Sequence, residues 1–252
     1  MTMRIWTAIG LGTGCLLLGA DQSKQGEPKQ KVQVSNTQRL DFPASGTLRL
    51  KNSRGLLTVE AWDRPQVEIT TVKSTKYELD ARGRDQAPHE LEKVHVSTDR
   101  HGDELVITTD FPRYHAFPPL HPRAEVNFNL EYRIKAPANT RIVDEHHDVG
   151  DVNIDGLTGD IDVNLLQGEI LLHLPEEGQY SIRAKSDFGS VNSDFSGVSK
   201  RRWWLLGHHS ENGNSAPHKL NLRVGFGDIV LLKTRVPKVP DSLVRAAKPE
   251  GL

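Results

Sequence analysis

The feature that most limits what this chain can become is a nine-residue repeat in its second half. It reads Gly150-Asp151-Val152-Asn153-Ile154, then Gly159-Asp160-Ile161-Asp162-Val163, then Gly168-Glu169-Ile170-Leu171-Leu172. Val152, Ile161 and Ile170 share one place in the repeat, and Ile154, Val163 and Leu172 share another. Single copies follow at Gly189-Ser190-Val191 and Gly227-Asp228-Ile229-Val230-Leu231, with a distant one at Gly55-Leu56-Leu57-Thr58-Val59. A fixed period marks stacked units, none of which can bury its apolar face alone. Each unit holds a strand of about five residues, roughly 17 Å long, and a turn of about four. Glycine supplies the positive φ of the turn, the acidic residue after it can accept from local backbone amides, and the alternating Val, Ile and Leu point inward. Successive units then lie on opposite faces of a flattened coil, and residues two repeats apart stack in parallel. An antiparallel meander fits the same spacing, so the expected fold is all-β: a right-handed β-solenoid, or alternatively an antiparallel β-sandwich.

The rest of the chain agrees with a β fold. Short runs alternate apolar and polar residues, as in Val32-Gln33-Val34, Leu48-Arg49-Leu50, Leu57 to Ala61, Val67 to Thr70, Val94 to Val96, Leu105 to Thr108 and Val126 to Ile134. No long helical period appears, and Arg100-His101-Gly102-Asp103 reads as a hairpin turn. Residues 78–92, with Gly83 and Pro88, read as a loop or marginal helix; residues 111–123, with Pro112, Pro118, Pro119 and Pro122, read as an extended surface segment. Residues 199–217 form a third departure from the pattern.

Ahead of the fold, residues 1–20 carry Arg4 as their single charge and an almost wholly apolar run from Ile5 to Leu18, followed by Gly19-Ala20 and the polar Asp21-Gln22-Ser23-Lys24. That order is the order of a secretory signal peptide cleaved after Ala20. Thr13-Gly14-Cys15 partly resembles a lipoprotein processing site, and an uncleaved anchor is a third option, although about sixteen apolar residues fall short of the roughly twenty a spanning helix needs. The expected organisation is a leader (1–20), a flexible tether (21–31), one all-β domain (32–235) and a C-terminal tail (236–252). Cleavage takes the single cysteine with it, so the mature chain has no disulfide and no thiol chemistry. Without Arg4 the 32 basic residues become 31 against 33 acidic ones, a balance that argues against a nucleic-acid partner. Membrane attachment is expected only through a retained leader or a lipidated Cys15, and the protein is expected to be periplasmic, cell-surface or secreted.

Three parts of the sequence together carry a family resemblance: the Gly-Asp-Ile/Val series, the strand Tyr132-Arg133-Ile134-Lys135-Ala136-Pro137 before it, and Asn52-Ser53-Arg54-Gly55 followed by Val59-Glu60-Ala61-Trp62-Asp63. Over residues 45–235 the chain resembles the bacterial putative adhesin family, a group of unknown function. The resemblance implies a right-handed β-solenoid on an exported protein and implies no established activity. The proline-rich loop and a tryptophan-bearing insertion depart from the family pattern.

Four groups of residues invite chemistry. Asp148, Asp151, Asp155, Asp160 and Asp162 suggest calcium, but the calcium-binding nonapeptide repeats carry two glycines and a fixed aspartate per unit, and only the period matches here. Solvated turns are the preferred reading. His146, His147 and Asp148 are weak metal candidates, because adjacent histidines on a strand face opposite ways. Asp160 and Asp162, roughly 7 Å apart on one strand face, would suit a polysaccharide hydrolase or lyase, yet no basic residue accompanies them in the repeat. The run Lys200-Arg201-Arg202-Trp203-Trp204-Leu205-Leu206 is the one surface feature that looks functional. Arg201, Arg202, Trp203 and Trp204 could hold anionic lipid, a glycan or an acidic partner, or the tryptophans could cap the open end of the stack. The sequence thus points to a non-enzymatic envelope protein without cofactor, whose partner is an envelope component, a glycan or a protein.

Overall fold

The computed structural model describes residues 30–111, 128–201, 208–211 and 215–234. In chain order its elements are β1 (Gln33–Asp41), β2 (Thr47–Lys51), β3 (Leu56–Trp62), β4 (Gln66–Thr75), α1 (Ala81–Glu92), β5 (His95–His101), β6 (Glu104–Asp110), β7 (Phe128–Pro137) and β8 (Arg141–Val149). They continue with β9 (Val152–Asp155), β10 (Ile161–Gln167), β11 (Ile170–Pro175), β12 (Tyr180–Phe188), β13 (Val191–Ser193), β14 (Val198–Arg201), β15 (His208–Glu211), β16 (His218–Phe226) and β17 (Ile229–Thr234).

These strands make two mixed sheets. The first runs β1-β4-β7-β3-β9-β11-β17-β13 and the second β14-β15-β12-β16-β10-β8-β2-β6-β5. Six strand pairs, β2–β3, β6–β7, β8–β9, β10–β11, β12–β13 and β16–β17, each step from the second sheet to the first, and neighbouring pairs run parallel. Antiparallel strands close the ends: β1 and β4 beyond β7, β5 beyond β6, and β15 and β14 beyond β12.

Within the repeat, the nine-residue sequence period becomes an eighteen-residue structural one. Ile170 pairs with Val152, two repeats back, while Ile161 lies in the opposite sheet beside Ile142 and Leu220. The meander reading is therefore excluded for these units, since their ladders are parallel. Nor does the chain wind in one direction. Along the stack the pairs follow as β6–β7, β2–β3, β8–β9, β10–β11, β16–β17 and β12–β13, so the order is inverted at both ends. The last pair in sequence fills the gap between two earlier ones.

Inward residues of neighbouring strands form continuous apolar rows. One row runs Leu105, Leu48, Ile142, Ile161, Leu220, Ile182 in the second sheet, and another runs Tyr132, Leu57, Val152, Ile170, Ile229, Val191 in the first. All of these side chains are buried in one core between the sheets, each worth about 1.5–3 kcal/mol for the larger aliphatic groups.

A column of glycines forms the corner between the sheets. Gly150 and Gly168 have φ of 143° and 142°, a region closed to most side chains. A Cβ on Gly168 would lie 1.7 Å from the Gly150 carbonyl oxygen, and one on Gly150 would lie 1.9 Å from that of Gly55. Gly227 and Gly189 continue the column on the far side. Aspartates that follow Gly150 and Gly227 in this column, and Gly159 at the turn from β9 to β10, tie neighbouring pairs together. Asp151 accepts from the Glu169 amide at 3.0 Å, Asp160 from Lys219 at 2.8 Å and Asp228 from Ser190 at 2.6 Å. The acidic residue of the repeat thus hydrogen-bonds backbone, as its place in the turn suggests, but across the stack and not within its own turn.

Helix α1 occupies the segment read as a loop or marginal helix. Asp80 caps its first turn through the Gly83 amide at 2.8 Å, and Ala87 and Leu91, four apart, bury their side chains. Among the described residues no helix is long and apolar enough to cross a membrane. The proline-rich segment falls almost wholly outside the described residues.

Two outcomes follow from this packing. Gly168→Ala must move a backbone carbonyl as well as adopt a disfavoured φ, so denaturant unfolding should show a loss of about 3–5 kcal/mol. Burial pushes the Tyr132 hydroxyl well above its ordinary value and that of Tyr180 up to about 12 from 10.0. The folded state favours the neutral phenols, so their contribution is intact below pH about 10 and lost as pH rises toward about 12. Unfolding midpoints measured at increasing alkaline pH should fall across that window, and phenolate absorbance from both rings should lag until the chain unfolds.

Candidate functional site

Residues 144–148 sit on β8 at a register shift, where Val163 pairs with Asp144 but Leu165 pairs with His147. The extra residue turns His147 into the core and leaves His146 exposed. Asp144 and His147 are 1% and 0% exposed, in rows otherwise filled by Leu50, Val163 and Leu165. Their polar atoms are satisfied locally. Ser53 Oγ donates to Asp144 Oδ1 at 2.6 Å, His147 Nδ1 lies 2.9 Å from Asp144 Oδ2, and His147 Nε2 lies 2.8 Å from the Gly55 carbonyl oxygen. Both ring nitrogens point at protein oxygens inside the core, which leaves neither turned toward a metal site. Asp148 faces Arg54 at 3.5 Å. Among the described residues no three His, Cys, Asp or Glu side chains form a group able to hold a metal ion.

The carboxylates considered for hydrolysis do not form an independent pair. Asp160 precedes β10 and is engaged by the Lys219 amide, while Asp162 is exposed on the outer face of β10. A groove of about 480 Å³ runs beside Gly55 and Gly150, bordered by Arg54, Lys76, Glu131 and Asp151. Its lining contains Ser74 but no histidine to activate it.

A different place gathers exposed apolar and charged groups. Phe188 and Phe226 precede the corner glycines Gly189 and Gly227. Strict alternation would send both inward after Ser186 and Val224, but the corner turns them out, and they are 46% and 53% exposed. They are register partners, and their rings stack at 4.7 Å between centroids with 6° between planes, which is the strand spacing itself. Leu166, also exposed, borders them on β10.

Next to the rings, the outer face of β12 and β16 carries Arg183, Lys185, Lys219 and Arg223 against one carboxylate, Asp187. Asp187 is ion-paired with Lys185 and lies 3.2 Å from Arg223. The Lys185 hydrogen bond, helped by that of Arg223, holds its carboxyl below the usual range against the opposing effect of burial. Strand β15 pairs with β12, and β14 with β15, so Lys200 comes into register with His209 and Lys185. Arg201 ends β14 opposite His208. Arg202, Trp203 and Trp204 lie outside the described residues.

Of the cationic run singled out in the sequence, the backbone of Lys200 and Arg201 therefore enters the same sheet as Lys185 and Arg223. The phenylalanine pair was missed, although the doubled Phe-Gly in Asp187-Phe188-Gly189 and Gly225-Phe226-Gly227 signals it.

No family model and no curated protein matches the chain. Among solved structures it is similar to a putative cell adhesion protein from Clostridium sporogenes, with a TM-score of 0.50 and 13% identity over 81% of this chain and 100% of that one. A putative adhesin from Bacteroides fragilis shares 10% identity over 79% of this chain and 97% of its own, with a TM-score of 0.28. One from Parabacteroides merdae shares 9% over 83% and 80%, with a TM-score of 0.22. The resemblance to the putative adhesin family carried by the repeat is met again in the fold of the first of these.

If the buried Ser53, Asp144 and His147 cluster holds the fold together, Asp144→Asn keeps the side-chain shape but turns an amide NH2 toward either Ser53 Oγ or the His147 ring. Chemical denaturation should then report a loss of about 1–3 kcal/mol, with binding at the exposed rings unaffected in whatever protein remains folded.

Proposed function

We propose that this is an exported, non-enzymatic surface-interaction module of the adhesin kind, in which a β-solenoid-like stack serves as a rigid support for a binding face. The observation that carries this reading is the exposed Phe188 and Phe226 pair beside a cationic strand face. Half-exposed stacked rings retain an apolar surface that the core does not use, and such surfaces beside polar groups mark interaction sites. Most acidic groups near the turns are already engaged: Asp151, Asp160 and Asp228 hold neighbouring backbone, and Asp144 and His147 hold each other. The fold likeness to a putative cell adhesion protein supports the same direction.

Purified protein labelled for fluorescence should bind bacterial surfaces saturably and turn over none of a panel of neutral and acidic polysaccharides. Phe188→Ser with Phe226→Ser should weaken that binding by about tenfold or more while the fold is retained, since both rings lie outside the core. Turnover that disappears in Asp160→Asn with Asp162→Asn would replace this reading with that of a polysaccharide-active enzyme.

A further inference from the structure

The cationic face has a spacing as well as a charge. Lys185 and Arg223 are register partners on adjacent strands, and Asn164 on β10 is the partner of Arg223. Cation, cation and amide therefore follow one another at about the 4.8 Å strand separation. One step toward the corner, the row Asp187, Gly225, Leu166 has no side chain at its centre, because a Cβ on Gly225 would meet the Leu166 carbonyl oxygen at 2.7 Å. The notch at Gly225 thus separates the charged row from the rings of Phe188 and Phe226.

We propose that the outer face of β12 and β16 binds an acidic polysaccharide, its anionic groups along Lys185 and Arg223 and its sugar rings in the Gly225 notch against Phe188 and Phe226. This names the ligand class for the surface-interaction reading and rests on it. A regularly charged polymer matches the two cations on adjacent strands, and the apolar faces of sugar rings match the surface that the half-exposed phenylalanine rings keep. A bilayer surface fits less well, since lipid binding needs apolar groups that project into the interface, and these two rings cover each other. Asp187 shares its charge between Lys185 and Arg223, so it opposes an anionic ligand at the same two cations.

The full protein is titrated calorimetrically with polygalacturonate and dextran sulfate, with neutral dextran and phosphatidylglycerol vesicles as comparisons. Both acidic polymers should bind, with affinity falling as salt rises, and neutral dextran should not. Lys185→Glu and Arg223→Glu should each weaken binding by about tenfold. Asp187→Asn should tighten it about threefold, a gain that loss of folding cannot produce. Equal binding of neutral dextran, binding of vesicles in place of the polymers, or unchanged affinity in Asp187→Asn and Arg223→Glu would overturn the proposal. Protein that binds bacterial surfaces through its phenylalanines but ignores both acidic polymers overturns this ligand class and leaves the surface-module reading standing. Protein that binds neither surfaces nor polymers overturns both.

Discussion

Everything in this fold depends on how closely backbone passes backbone at the glycine corner. A carbonyl oxygen sits where the next glycine's Cβ would be, 1.7 Å from it between Gly150 and Gly168 and 1.8 Å between Gly168 and Gly227. That approach is open only to glycine, and it fixes the height of each strand pair above the last. With the height fixed, the parallel ladders on both sides of the corner fall into register together, and a slip of one residue would turn the apolar rows outward. The turn aspartates strengthen the same constraint, because each spends its carboxylate on an amide of the neighbouring pair. What resembles a chain of ion-binding turns is a set of clamps.

The length of a strand and the place of a corner are local properties, which is why the repeat is legible in the sequence. Val152, Ile154, Ile170 and Leu172 could be assigned to the core from spacing alone, and all four are buried. The order of the pairs is not local. Nothing near His218 tells β16 to enter between β10 and β12, because the parallel ladders it forms with Ile161 and Ile182 are decided by which apolar row remains open. Helix α1 was hard to see for a related reason: a short segment with Gly83 and Pro88 has poor propensity, and its stability comes from the Asp80 cap and from burying Ala87 and Leu91. At the candidate site, Lys200 and Arg201 were legible as charge, while Phe188 and Phe226 were not, since period-two alternation assigns them to the core and only the corner reverses them.

The polar cluster under the corner shows how a local misreading arises. All five residues from Asp144 to Asp148 are candidate ligands, and composition alone cannot say which of them face together. The extra residue in β8 decides the matter by turning Asp144 and His147 inward as a pair and sending Glu145 and His146 to solvent. A buried polar cluster of this kind contributes little net stability compared with an apolar replacement, but it penalises any register that separates its members. Because the pair must face Ser53 and Gly55, it adds a polar constraint on the alignment of β2 with β8 to the one the glycine corner imposes.

The residue immediately before each corner glycine is the point at which architecture and binding separate. Along the stack that position holds Arg54, Val149, Gln167, Phe226 and Phe188, while the glycine beside it does not vary. Inward rows and glycines cannot change without disturbing a neighbour's backbone, but this rim position is half-buried at Arg54 and Val149 and exposed at Gln167, Phe226 and Phe188, so the fold sets its side chain less tightly. Placing phenylalanine there twice, in adjacent pairs, stacks two rings at the spacing the backbone already imposes and needs no extra ordering of loops. The surface that results is as rigid as the sheet beneath it, so a ligand that binds there need not immobilise flexible side chains first, and more of the contact energy appears as affinity.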